Sequence, residues 1–226
     1  LETPTQEPTA YVSLSTGCFS NKTGRIVQMS PDRHLVIFAK APRLGRVKSR
    51  LARDIGTVQA WQFYRHNLMR VIRRMSGDER WTTWLAITPD RAALTLEHDR
   101  KVLRIDQGTG DLGARMDRVM TVLPLGPVVV IGTDIPSIQC ADINGAFQQL
   151  GPHDAVMGPA TDGGYWLVGL KRTPRVPHIF DHVRWSSPHA LADTEANILK
   201  QNLSVHMLRE LEDVDDAASY ERWRAS

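Results

Sequence analysis

Five cations, Lys40, Arg43, Arg46, Lys48 and Arg50, fall within eleven residues and are interrupted by Pro42 and Gly45. Phosphate oxygens are met by such a set: N–H groups opened at a glycine turn, guanidinium forks that pair bidentately, and ammonium point charges. Lys40, Arg43, Gly45, Lys48 and Arg50 are therefore the candidate phosphate ligands, with a solvated basic loop as the competing reading. The stretch has neither the G-x-x-x-x-G-K-[ST] spacing nor the G-x-G-x-x-G spacing of the two common phosphate loops. A second cluster, Gln107 to Arg115 (QGTGDLGAR), is a glycine-rich turn running into a helix. A helix N-terminus can accept an anion or the edge of a base there, with Gly110, Asp111, Gly113 and Arg115 as candidates. The alternative is a plain strand-to-helix connection in which Asp111 only caps.

The third cluster is Gly132-Thr133-Asp134-Ile135-Pro136. An acid at the end of a buried apolar strand is costly to keep for packing alone and is well placed for a hard divalent cation, although a helix cap competes with that reading. The fourth is Pro159 to Trp166 (PATDGGYW). Asp162-Gly163-Gly164 can simply close a hairpin. Its functional reading lets the two glycines bring backbone close to a ligand while Asp162 and Tyr165 address an acceptor; Trp185 adds an aromatic wall, unless it is an ordinary half-buried tryptophan. Last, Glu210 to Asp216 (ELEDVDD) carries five acids in seven residues, more than capping a helix requires. Spacing alone does not say which of them would bind a metal.

The elements that must position these residues alternate. His34 to Ala39 is an apolar run without polar alternation, as in a strand buried on both faces. Lys40 to Arg53 reads as a loop, and Thr57 to Met75 as a long helix from its apolar spacing. Strands follow at Trp81 to Thr88 and Lys101 to Ile105, then a helix at Leu112 to Val122 opened by Asp111, a strand at Pro127 to Gly132 and a helix at Ala141 to Leu150. Asp154 to Met157 and Trp166 to Leu170 are short strands, Pro188 to Gln201 a helix and Asp215 to Trp223 a closing helix. Such alternation implies a mostly parallel sheet covered on both faces, with ligands beyond the carboxyl ends of its strands. Residues 1–31, rich in Thr, Ser, Pro and Gln, show no sustained period and read as an irregular arm before one domain spanning 32–226.

Composition excludes several classes. At 226 residues, with 42% hydrophobic and 23% charged, the chain is that of an ordinary globular domain. A net charge of +3 without blocks of like charge argues against a nucleic-acid partner. With no apolar run near the ~20 residues of a membrane span and no basic-then-apolar leader, the expectation is a cytoplasmic protein without a membrane partner. Cys18 and Cys140 have no metal-site spacing and are expected to be reduced thiols.

Four motifs in this order, FAKAPRLGRVKSRLA (Phe38 to Ala52), GDLGARM (Gly110 to Met116), IGTDIP (Ile131 to Pro136) and DGGYWLVGL (Asp162 to Leu170), resemble the bacterial arsenosugar-biosynthesis-type glycosyltransferase family. The resemblance covers residues 34–223. That family belongs to the nucleotide-diphospho-sugar transferase superfamily and looks like a relative of 2-phospholactate guanylyltransferase and the molybdenum-cofactor guanylyltransferase. The resemblance implies a GT-A-like (Rossmann-like) α/β/α sandwich with a mixed, mostly parallel sheet. It implies Lys40, Arg43, Lys48 and Arg50 on phosphate, Asp134 as the principal carboxylate for Mg²⁺ or Mn²⁺, and Asp215 as the second, from a VDT-type motif. Here Asp216 stands where Thr is usual, and Ala217-Ala218-Ser219-Tyr220 replaces Pro-Glu-Asp-Leu. The expected activity is a metal-dependent transferase taking a nucleotide-sugar and a small-molecule acceptor, with Asp134 and Asp162 as catalytic groups. The alternatives are nucleotidyl transfer from a nucleoside triphosphate with pyrophosphate release, and a nucleotide-binding protein without turnover. No D-x-D stands at the strand end, so the residues speak more strongly for nucleotide phosphate than for sugar.

Overall fold

β1 (His34–Lys40) forms as its apolar run requires, with Leu35 and Ile37 facing one side of the sheet and Val36 the other. In a computed structural model describing residues 33–90 and 101–225, the remaining strands are β2 (Thr82–Thr88), β3 (Val102–Ile105), β4 (Val128–Ile131), β5 (Ala155–Pro159), β6 (Tyr165–Leu170) and β7 (Val205–Met207). They make one sheet in the order β3-β2-β1-β4-β6-β5-β7. β6 runs antiparallel to β4 and β5, and every other neighbouring pair is parallel, so the sheet is mixed and mostly parallel as expected. The proposed arm at 1–31, with Cys18, lies outside the described residues.

The helices are α1 (Ser49–Ile55), α2 (Thr57–Ser76), α3 (Leu112–Val122), α4 (Cys140–Gln149), α5 (Ala190–Lys200) and α6 (Ala217–Ala225). On one face Leu68, Ile72 and Met75 of α2 and Ile143 and Phe147 of α4 pack on Leu35, Ile37, Val129 and Ile131. On the other, Met116, Val119 and Met120 of α3 and Ile198 of α5 pack on Val36, Val128 and Val130. Two helical layers thus enclose the sheet, giving the α/β/α sandwich.

Two elements depart from the sequence reading. Residues 49–55 form α1 inside the expected loop; only Leu51 of the helix is fully buried, so its apolar period is too sparse to read. Gly56, at φ 90° and ψ 149°, separates α1 from α2. β7 is three half-buried residues that extend the sheet beyond β5, a length at which alternation carries no signal. No helix among the described residues is long and apolar enough to cross a membrane.

Candidate functional site

The carboxyl ends of β1, β4 and β5 and the start of β6 share one edge of the sheet, and the candidate residues gather there. The basic loop leaves β1 in short turns, Arg43 N–H to Ala41 O at 2.8 Å and Arg46 N–H to Arg43 O at 3.0 Å, with Gly45 at φ 73°. It ends at Lys48, whose backbone is left-handed, φ 49° and ψ 49°, immediately before α1. For a residue with a Cβ that conformation costs about 1–2 kcal/mol. Leu51, one turn into α1, is buried with Ala60, Phe63 and Val214, which fixes the helix beneath the loop.

Lys48 is the centre of the site. Its side chain is only 4% exposed, and its Nζ lies 2.6 Å from Asp134 Oδ1 and 2.6 Å from Asp215 Oδ1. Burial pulls the ammonium pKa down, but the two carboxylates outweigh it and hold the pKa above the usual lysine value. The acids are open to solvent, at 54% exposure for Asp134 and 41% for Asp215. Their backbones are tied together by Val214 N–H to Asp134 O at 3.1 Å, and Val214 is buried between the two acids that flank it in sequence.

α2 sets the height of both loops through Trp61 and Tyr64, which the sequence offered only as core spacing, and through Asn67, which it did not offer. Trp61 Nε1 donates to Pro42 O at 2.7 Å, and the Tyr64 hydroxyl donates to Lys40 O at 2.9 Å while accepting from Lys40 N–H at 3.0 Å. Asn67 Nδ2 donates to Thr133 O at 2.7 Å, next to Asp134. Burial pushes the Tyr64 phenol up, so it serves as a neutral hydrogen-bonding post.

The structure sorts the five acids of 210–216. Glu212 pairs with Arg222. Asp216 accepts from Ser219 N–H at 2.8 Å and from Ser219 Oγ at 2.7 Å, and so caps α6. Asp213 is half-buried and pushed up to about 6, first by desolvation and then by the charges of Asp215 and Asp162. Asp213 thus feels the charges of Asp215, Asp162 and Lys48 and belongs to the surroundings of the Lys48–Asp215 pair. A run of acids hid it, because only the fold tells which of them turns inward.

Arg43, Gly45, Arg46 and Arg50 are exposed on the lip, and among the described residues Lys40, Arg43, Arg46 and Arg50 make no ion pair. The Gln107–Arg115 segment is more self-contained. Asp111 Oδ1 accepts from Ala114 N–H at 2.8 Å and caps α3. Arg115 donates to Gln107 Oε1 at 2.9 Å and to Asp111 O at 3.1 Å. Gln107 Nε2 in turn reaches Ala39 O at 3.0 Å and Ala86 O at 2.8 Å, joining the ends of β1 and β2. Asp90, not singled out by its sequence context, accepts from the N–H groups of Gln107 and Gly108 at 2.9 and 3.1 Å. Gly110 takes φ 104°, and Gly113 lies under Phe180 and Trp185, where a Cβ would come within 3.0 Å of each.

On the acceptor side, 160–164 closes the β5–β6 hairpin. Asp162 Oδ1 accepts from Gly164 N–H at 2.9 Å. Gly163, at φ 84°, packs so tightly that a Cβ would sit 2.4 Å from Pro188 O, while its own carbonyl accepts from Leu191 N–H at 3.1 Å. The close approach that Gly163 permits is thus to the chain's own 188–191 segment. Tyr165 receives the Thr194 hydroxyl at 3.4 Å, and burial pushes its phenol well above the usual range. Trp185 stands edge-on to Tyr165 with ring centroids 6.3 Å apart, and its indole N–H is buried without a partner among the described residues.

The donor set suits one kind of metal. Asp134 and Asp215 offer two hard oxygens around a common point, and the described residues hold no group of three or more His, Cys, Asp or Glu arranged for a metal. Closed zinc and calcium cages need more ligands than that. A magnesium-like ion that takes one or two carboxylates and completes its shell with water and phosphate oxygens fits.

Residues 71–187 match the family described as "Uncharacterized protein conserved in bacteria (DUF2064)". No curated protein matches the chain. Among solved structures, a protein from Desulfovibrio desulfuricans G20, provisionally named a nucleotide-diphospho-sugar transferase, is similar at TM-score 0.74 and 28% identity, over 82% of this chain and 83% of that one. The 4-diphosphocytidyl-2C-methyl-D-erythritol synthase of Anaerococcus prevotii DSM 20548 is similar at TM-score 0.58 and 9% identity, over 85% and 96%. CMP:2-keto-3-deoxy-manno-octonic acid synthetase, in a complex with CTP, is similar at TM-score 0.55 and 14% identity, over 86% and 98%. The last two likenesses concern the fold alone.

Proposed function

The chain belongs to the DUF2064 family, and from that membership and the geometry of its site we propose that it is a transferase that breaks a phosphate linkage of a nucleotide, with a nucleotide-sugar as donor. The observation that carries the reading is the buried Lys48 ammonium between Asp134 and Asp215, beneath a lip of exposed Arg43, Arg46 and Arg50. A polyphosphate needs these parts: guanidinium forks for its outer oxygens, an ammonium near the bridging oxygen, and carboxylates to hold a metal against it. The likeness to the 28%-identical nucleotide-diphospho-sugar transferase, and of the four motifs to arsenosugar-biosynthesis-type glycosyltransferases, supports the sugar nucleotide.

In this reading Arg43, Arg46 and Arg50 bind the diphosphate, and Lys48 offers positive charge to the oxygen that accumulates negative charge as the bond breaks. Stabilising such developing charge from a preorganised position is the main catalytic contribution available to the chain. Asp134 and Asp215 would hold Mg²⁺ or Mn²⁺, which when bound supplies Lewis-acid neutralisation of the phosphates. Asp162 and Asp213 lie on the side from which the acceptor enters. Asp213 is half-buried two residues before Asp215 and adds a second carboxylate on that side.

Nucleotidyl transfer is the second reading. Asp134 is the one acid in 132–136, and its companion Asp215 comes from a distant segment. Two acids from separate segments would hold a metal for a triphosphate without a D-x-D pair.

The test is a thermal-shift panel of nucleoside triphosphates and nucleotide-sugars, each with and without Mg²⁺ or Mn²⁺, followed by product analysis for the ligand that stabilises most. A ligand specific to the folded state raises Tm by mass action. A metal-dependent shift with one nucleotide-sugar, with sugar transferred, is the expected result. Pyrophosphate release from a triphosphate selects the second reading, and no shift with any nucleotide overturns both.

A further inference from the structure

Two carboxylates that share one small space repel each other unless a cation stands between them, and in this chain the cation is built in. Lys48 Nζ is 2.6 Å from each of Asp134 Oδ1 and Asp215 Oδ1. It therefore occupies the point that a metal shared by these two oxygens would take. We propose that Lys48 is the resident counter-ion of the Asp134–Asp215 pair, that a divalent cation binds there by displacing its ammonium, and that the displaced ammonium is the one that turns to the substrate's phosphate. The inference rests on the metal role given above to the two acids and adds to it a competition within the site.

Three observations carry it. The exposure is inverted: the lysine side chain is 4% exposed and the two acids are 54% and 41% exposed, so a cation from solvent can reach the carboxylates, while the position between their Oδ1 atoms is filled by the buried ammonium. The lysine backbone is left-handed, a strained conformation for a non-glycine residue, at the same residue that makes both ion pairs. Finally, Lys48 ends the same loop that carries Arg43 and Arg46, so a flexible four-carbon stem can serve two sets of anionic partners, the two acids and a polyphosphate held at the lip. A cation with two alternative anionic partners couples them: a phosphate that draws Lys48 away leaves the acids free for metal, and metal that expels Lys48 leaves it free for phosphate. Linkage makes that coupling reciprocal.

The experiment is calorimetric titration of Mn²⁺ alone, without nucleotide, into wild-type protein, Lys48→Met and the double variant Lys48→Met/Asp134→Asn. Removing the competitor should tighten Mn²⁺ binding by about tenfold or more in Lys48→Met, within the usual range of a coupling between two ligands. The double variant should fall back to wild-type affinity or below. Equal or weaker binding by a folded Lys48→Met overturns the exchange and leaves the metal role of the acids standing; absence of Mn²⁺ binding in every protein overturns both. Because Lys48→Met leaves two adjacent acids unneutralised, which opposes folding, the wild-type protein provides a second readout. The Lys48 ammonium resonance, followed by ¹⁵N-detected NMR during a Mg²⁺ titration, should shift and exchange faster with water as the ion enters. A Lys48 signal that stays unchanged at saturating Mg²⁺ overturns the displacement.

Discussion

The two sides of the site use the same residue types for opposite ends. Around Lys48, charged groups point at one another and at solvent, with bonding capacity left over: Asp134 and Asp215 stay half exposed while sharing one ammonium, and the lip arginines are unpaired among the described residues. Across the opening, the hairpin spends its groups on itself. Asp162 closes a turn with Gly164, Gly163 makes room for Pro188, and Tyr165 and Trp185 pack against each other. An Asp-Gly-Gly motif and a lone Asp after a strand look equally functional in sequence. Their surroundings separate them: Asp162, itself exposed, accepts the Gly164 N–H that closes its turn, whereas Asp134 shares a buried ammonium with Asp215.

The sharpest way to break that contrast is Asp134→Ala. Because the side chain is half exposed, the fold should survive with an unchanged circular dichroism spectrum, while turnover falls by about 10³-fold, the scale of losing a main electrostatic group. Retained turnover would remove Asp134 from the chemistry. Gly163→Ala should do the reverse. A Cβ there meets Pro188 O at 2.4 Å in a backbone at φ 84°, so urea unfolding should show a loss of about 3 kcal/mol, with the activity of the remaining folded protein nearly intact. A variant as stable as wild type but inactive would place Gly163 with the ligand instead.

The sequence carried the open side better than the closed one. Strands β1 and β4 are legible because runs such as Leu35-Val36-Ile37 and Val128-Val129-Val130 have no other use than burial on both faces, and the residues after them are the ligand edge of any such sheet. Lys48 and Asp134 were therefore within reach as candidates. Their mutual contact was not, since it depends on a left-handed turn at Lys48 and on α6 bringing Asp215 back across 81 residues of chain, from 134 to 215. Tyr64 and Asn67 were hidden for a different reason: on α2 they fall into the apolar stripe, and only the fold shows that their polar tips reach Lys40 and Thr133. Arg115, a candidate anion ligand by its place near a helix start, also donates to Gln107 Oε1 and so ties the loop to α3, a contact that its sequence context did not show.

A smaller effect sharpens the comparison by pH. Asp213 titrates near 6 in the folded protein, raised first by burial and then by Asp215 and Asp162. Between the ordinary carboxylate range and 6 the folded state holds a proton that the unfolded chain releases, so stability is lost as pH rises through that window and levels off above it. In buffer free of divalent metal, Asp213→Asn should flatten the decline between pH 4 and 6. At pH 7 it should be more stable than wild type by up to about 2 kcal/mol, less whatever solvent screens, as read from urea midpoints. Equal pH slopes in the wild type and in Asp213→Asn across that window would show that Asp213 ionises normally and does not feel its acidic neighbours.

The smallest expected change comes from Asp162→Asn, which decides whether the closed side also takes part in chemistry. Asn keeps an oxygen that can accept from Gly164 N–H, so the hairpin should hold and stability should shift by less than about 0.5 kcal/mol. What the substitution removes is the charge and the basicity. If the carboxylate serves only to close the turn, turnover should change by no more than about threefold, and the Asp213 titration should move down because one of the charges raising it is gone. If Asp162 receives the acceptor's proton, the loss should reach about 10²-fold or more in kcat at every pH where the wild type is active. In that case Asp162 would belong with the open side, and the boundary between the two regions would run through the hairpin, between Asp162 and Gly163.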